Sequence, residues 1–90
     1  PARSAREPDH VLEDLDRAVA LDPAFAQGFT QRAQILSRLG RVEEAIADYG
    51  RALAVEPTMA VAHYNRGSLR ARLREYERAI EDYDAALRLR

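Results

Sequence analysis

Cysteine is absent, and with it go a disulfide framework, a thiolate zinc site and a cysteine nucleophile. Lysine is absent too: all fourteen basic residues are arginine. Because both cations serve on a solvated surface, this bias fits a GC-rich coding sequence of the kind common in bacteria. No apolar run approaches the roughly 20 residues that cross a bilayer, so membrane insertion is not expected. Residues Pro1 to Asp9 lack the basic-then-apolar order of a secretion signal, and composition leaves the compartment open. The fourteen arginines stand against 15 acidic residues, a net charge of −1. That balance argues against generic binding to nucleic acid or acidic lipid, which needs clustered positive charge to displace counterions.

Catalytic chemistry is equally hard to place. The two histidines, His10 and His63, lie far apart, the serines are only Ser4, Ser37 and Ser68, and neither metal-ligand spacing nor a glycine-rich phosphate loop occurs. The expectation is a chain with no catalytic residues, no metal and no cofactor. His63, on an apolar stripe, reads as a satisfied packing residue, and Gly28, Gly50 and Gly67 as helix-contact or exposed positions.

What the chain does contain is a repeat. Shifted by 34 residues, Pro23 falls on Pro57, Ala33 on Gly67, Leu39 on Leu73, Ala45-Ile46 on Ala79-Ile80, Asp48-Tyr49 on Asp82-Tyr83 and Ala52-Leu53 on Ala86-Leu87. A further step places Leu12, Asp14, Leu15, Ala18, Val19 and Leu21 under Ile46, Asp48, Tyr49, Ala52, Leu53 and Val55. A fixed period of this length marks stacked units that share one continuous core. Within each period apolar residues recur at helical spacing, as in Val42, Ala45, Ile46, Tyr49, Ala52 and Leu53. A second stripe, Ala26, Phe29, Ala33 and Leu36, precedes it, so the unit is a helix pair. First helices are expected over 24–42 and 58–74, and second helices over 9–22, 43–57 and 75–90. Gly40 supplies a left-handed stop between paired helices. Asp22-Pro23 and Glu56-Pro57-Thr58 end one pair and open the next with a proline and a capping side chain. At the second stop Arg74 replaces glycine, so either it adopts the left-handed conformation or the turn differs there.

Ala45-x3-Tyr49, Ala52 and Pro57, then Ala79-x3-Tyr83 and Ala86, with Val11, Leu15, Ala18 and Pro23 as a divergent copy, resemble the tetratricopeptide repeat family over about residues 9–90. The resemblance implies an all-α, right-handed superhelical stack of antiparallel helix pairs, about two and a half repeats, behind a 1–8 remnant of a truncated helix. It departs from the family where Arg32 and Arg66 replace leucine, Arg70 replaces tyrosine and His63 takes the aromatic place, which bears on how tightly the last pair packs. Both ends are expected to expose apolar stripes, around Val11–Val19 and around Ile80, Tyr83 and Leu87, and so to favour a homo-oligomer.

Charge is segregated along the chain. The first helices hold no acid but carry Arg32, Arg38, Arg41, Arg66, Arg70, Arg72 and Arg74, whereas the second helices are rich in acid. In the family the first helices line the concave groove, so the resemblance implies a basic inner face. Helical spacing directs Gln27, Gln31, Gln34 and Arg38, with Val61, Asn65, Ser68 and Arg72, away from the buried stripes, flanked by Thr30 and Tyr64. Arg32, Arg66 and Arg70 point nearer the packing seams. An amide-rich floor with two equivalent arginines suits an extended acidic peptide. The family's chaperone-tail clamp is poorly matched, since its Lys and Asn would fall on Thr30 and Gln34. The expected function is a non-catalytic protein-interaction module. Its rivals are a self-associating scaffold element, an RNA-binding helical repeat and a regulatory arm of a larger protein; the low charge and missing base-reading side chains count against RNA.

Overall fold

The structure is a computed structural model and describes residues 8–90, so the expected 1–8 remnant lies almost wholly outside the described residues. Five α-helices account for nearly all of it: α1 Pro8–Leu21, α2 Ala26–Arg38, α3 Val42–Val55, α4 Ala60–Arg72 and α5 Tyr76–Leu89. Among the described residues there is no strand. Each helix packs chiefly on its neighbours in sequence, with α2/α3 and α4/α5 as the two closely packed hairpins. The result is an elongated stack of 47 × 26 × 19 Å.

The helix stops follow from the chain's turn chemistry. Gly40 has φ 80°, its N–H donates to the Ser37 carbonyl, and the Arg41 N–H donates to Leu36, which satisfies two carbonyls at the end of α2. The same pair of bonds recurs at the end of α4, from Arg74 to Ala71 and from Glu75 to Arg70. Arg74 therefore takes the left-handed conformation, at φ 64°, of the two options open to it. The turns between pairs differ from expectation. Asp22 and Glu56 accept the N–H of Phe25 and Met59 through their backbone carbonyls, so Pro23 and Pro57 lie inside tight turns. The first helices begin beyond these turns, with Phe25 and Met59 at the N-cap positions of α2 and α4 and no side-chain cap, so Thr58 caps nothing.

The core runs along the stack without a break. Ala33, Leu36, Val42, Ala45, Tyr49, Leu53, Ala62 and Leu69 form one cluster, Val19, Ala26, Phe29 and Ala52 a second, and Met59 packs against both. Small residues at the crossings let the backbones approach closely. A Cβ on Gly67 would lie 3.1 Å from the Ala79 carbonyl oxygen, which explains why the position that holds Ala33 in one repeat holds glycine in the next.

Candidate functional site

Six of the seven first-helix arginines divide into two groups. Arg32 donates from Nε to Asp48 Oδ2 at 2.7 Å and from Nη2 to Oδ1 at 2.8 Å, and a third bond at 2.8 Å reaches Asp16 on α1. One repeat later Arg66 grips Asp82 in the same fork, at 2.9 and 2.8 Å, with Arg70 at 2.9 Å and His63 Nδ1 at 3.2 Å on the same carboxylate. Asp48 and Asp82 are buried. Burial opposes the charge on Asp82, yet Arg66, His63 and Arg70 outweigh it and hold the carboxyl below the usual range. Asp48 and Asp16 raise the Arg32 guanidinium above its ordinary value despite partial burial. Arg41 forks onto Glu44 at 2.7 and 2.8 Å. These four arginines are neutralised by second-helix acids and do not charge a groove; Arg32, Arg66 and Arg70 also stitch helix to helix. Where leucine is usual, Arg32 and Arg66 bury their stems and seat their heads on a fixed carboxylate, and the pair stays close-packed.

Arg38 and Arg72 are different. Each is exposed in the last turn of its helix, where a cation suits the helix dipole, and no ion pair engages either among the described residues. Both line one concavity of about 320 Å³ with Gln34, Ser37, Tyr49, Asn65, Ser68 and Leu69. Its lining contains no acid. Burial pushes the Tyr49 phenol above its ordinary value, opposed by a hydrogen bond with Asn65 and by the nearby charge of Arg38. Tyr83 donates its hydroxyl to Ser68 at 3.2 Å. The floor is thus pre-ordered by two buried or half-buried tyrosines from the second helices.

Two more concavities adjoin the first. One of about 340 Å³ is lined by Gln27, Thr30, Gln34, Met59, Ala60 and Val61, and shares Gln34 with it. The other, about 560 Å³ and mainly apolar, is lined by Ala60, Val61, Tyr64, Asn65, Tyr83, Ala86, Leu87 and Arg90, and shares Asn65. The structure therefore gathers Gln27, Thr30, Gln34, Arg38, Val61, Tyr64, Asn65, Ser68 and Arg72 into one trough. Gln31 is exposed and lines none of the three. Thr30 is buried, and its hydroxyl donates to the Gln27 carbonyl at 2.8 Å, so it shapes the helix beneath the trough. Sequence reasoning missed Ser37, Tyr49 and Leu69, and the wall contributed by α5. Spacing places Tyr49 and Tyr83 on the apolar stripes, yet their hydroxyls reach Asn65 and Ser68 on the floor. A fourth concavity, of about 350 Å³, surrounds the Arg32–Asp48–Asp16 network and is lined by Arg51, Arg41 and Glu44 as well. Among the described residues no group of three or more His, Asp or Glu side chains could hold a metal ion, and no helix is long and apolar enough to cross a membrane.

Comparison with known proteins agrees with this architecture. The sequence profile described as Tetratricopeptide repeat matches residues 30–90. The crystal structure of MamA superposes with a TM-score of 0.89 at 20% identity, covering 91% of this chain and 48% of that one; this chain spans about half the length of that relative. The second such repeat domain of Spaghetti (RPAP3), solved bound to the HSP90 peptide SRMEEVD, gives 0.88 at 26% identity over 92% of this chain and 77% of that one. YrrB, described as a protein of this repeat type with an unusual peptide-binding site, gives 0.85 at 29% identity over 92% and 43%. No curated protein matched the chain by sequence.

Proposed function

Because the chain belongs to the tetratricopeptide repeat family, we propose that it is a protein-interaction module whose trough holds an extended segment of a partner rich in acidic side chains. One observation carries the reading: Arg38 and Arg72, a repeat apart, line a single acid-free concavity, while Arg32, Arg41, Arg66 and Arg70 are occupied by the chain's own carboxylates. The free guanidiniums pair with carboxylates, and Gln27, Gln34, Asn65 and Ser68 bond to the peptide backbone. Thr30 sets the floor, and Val61 and Tyr64 give the segment an apolar wall. The peptide bound to the Spaghetti domain, SRMEEVD, carries three acids against one arginine, which supports a ligand of this sign. Both arginines are exposed, so the attraction is modest and screened by salt.

Calorimetric titration of matched acidic and basic peptides tests the reading. The acidic peptide is expected to bind more tightly and to weaken with added salt. The paired change Arg38→Glu and Arg72→Glu should reverse the preference, and Arg78→Glu on exposed α5 should leave it. A preference for acidic peptides that survives the paired reversal would show that the arginines serve only the helix dipoles.

A further inference from the structure

The exposed apolar stripe on α5 is Tyr76, Ile80 and Leu87, with Tyr83, half-buried against Ser68 and Tyr64 of α4, on the same line. The spacing of four, three and four residues puts all four on one narrow line, the seam along which two helices mesh. Tyr76, Ile80 and Leu87 are 59%, 56% and 60% exposed. One repeat earlier the same positions hold Val42, Ile46, Tyr49 and Leu53, of which Val42, Tyr49 and Leu53 are only 8%, 3% and 7% exposed because a helix, α4, lies on them through Met59, Ala62 and Leu69. A line of this shape in this chain is thus a seat for a helix. At the other end α1 offers less: Val11, Leu12, Leu15 and Ala18 are half-buried and Val19 is buried.

We infer that this seat is filled by a second copy of the chain, α5 packing antiparallel on α5 across a two-fold axis. The choice of occupant rests on charge. Acids flank the start of the seam, at Glu75 and Glu77, and arginines flank its end, at Arg88 and Arg90. In the register that matches the apolar layers, antiparallel pairing brings Glu75 and Glu77 of one copy within one helical turn of Arg90 and Arg88 of the other, and opposes the helix dipoles; parallel pairing would set like against like. The apolar layers then match, Tyr76 against Leu87 and Ile80 against Tyr83. Asp84, close to the seam and near Glu77 of the other copy, is the one acid left against its own sign. A 14-residue helix is about 21 Å long, so the interface is smaller than the ~800 Å² per partner of a standard complex, and the dimer is concentration-dependent. The seam shares Tyr83, Leu87 and Arg90 with the apolar end of the trough, but Arg38 and Arg72 take no part in it, so their reversal tests the peptide reading without touching this one.

Sedimentation of the chain over a concentration series is expected to show a monomer–dimer equilibrium. Leu87→Asp should weaken the dimer about tenfold or more with helicity unchanged by circular dichroism, Leu21→Asp on α1 should leave it, and Asp84→Asn should tighten it. With no native cysteine, orientation can be read directly: Glu77→Cys mixed with Arg88→Cys should form a disulfide-linked dimer, and Glu77→Cys alone should not. A chain monomeric at every concentration overturns the inference and leaves the seat to a different helix. Dissociation by Leu21→Asp instead of Leu87→Asp, or self-crosslinking of Glu77→Cys, overturns it equally.

Discussion

Replacing Asp82 with alanine removes the carboxylate shared by Arg66, Arg70 and His63. Two guanidiniums that are mostly buried would be left side by side without a counter-charge, and Arg70 Nε already lacks a hydrogen-bond partner. Removing one member of a buried pair costs about 3–5 kcal/mol, because the survivor keeps its desolvation penalty. A domain of this length has a total stability of roughly 5–13 kcal/mol. The loss is therefore a large share of the whole, on the order of 15 °C or more in melting temperature. It is also local. Helix α5 is held chiefly by α4, and Asp82 is its main polar tie, so α5 should detach before the remaining helices unfold. Thermal and urea unfolding followed by circular dichroism should show the shift together with an early loss of helicity. Asp84→Ala, on the exposed side of the same helix, should stay within about 0.5 kcal/mol of the parent. Replacing Arg66, Arg70 and Asp82 together by leucine should recover most of the loss, since no charge is then stranded. If Asp82→Ala costs less than about 1 kcal/mol, the network is solvated like a surface pair and the reasoning fails.

Three further outcomes are expected. Because the folded Asp82 carboxyl is held below its ordinary value near 3.8, its contribution is complete above that pH and vanishes as pH falls through the folded value; the urea-midpoint gap between parent and Asp82→Ala should shrink below about pH 4. Arg74→Gly should stabilise by up to about 1 kcal/mol and Gly40→Ala should destabilise by about as much, measured by urea unfolding, because both positions are left-handed. Gly67→Ala should destabilise by about 1–3 kcal/mol in the same assay, since its Cβ would press on the Ala79 carbonyl, Asp82 and Tyr83.

The period, the five helices and the exposed seam on α5 could all be read from the sequence, because each depends on spacing within one segment. The ion-pair seams could not be read that way. Arg32 and Asp48 are sixteen residues apart on different helices, and only the packing of α2 on α3 brings them to 2.7 Å. Taken singly, Arg32 and Arg66 imply a looser stack and add to a basic inner face. The usable signal was joint recurrence: arginine and aspartate both return after 34 residues, so a pair formed once is formed twice. The same oversight widened the expected basic face to seven arginines, whereas two line the acid-free concavity. The turns failed for another reason. The expected helix starts at 24 and 58 fall two residues early, because backbone bonds to Asp22 and Glu56 first close a turn around Pro23 and Pro57.

Among the described residues the substantial contacts run from each helix to the next, and none of them joins α1 to α5 across the 47 Å length. Pulled at its two ends, such a chain should yield like a spring, with no single rupture. Strain spreads through small rotations at each helix crossing, and further load unzips one hairpin at a time from whichever end is weaker. The Asp82 and Asp48 networks, one for each hairpin, then act as successive clasps that set the force at which each hairpin opens.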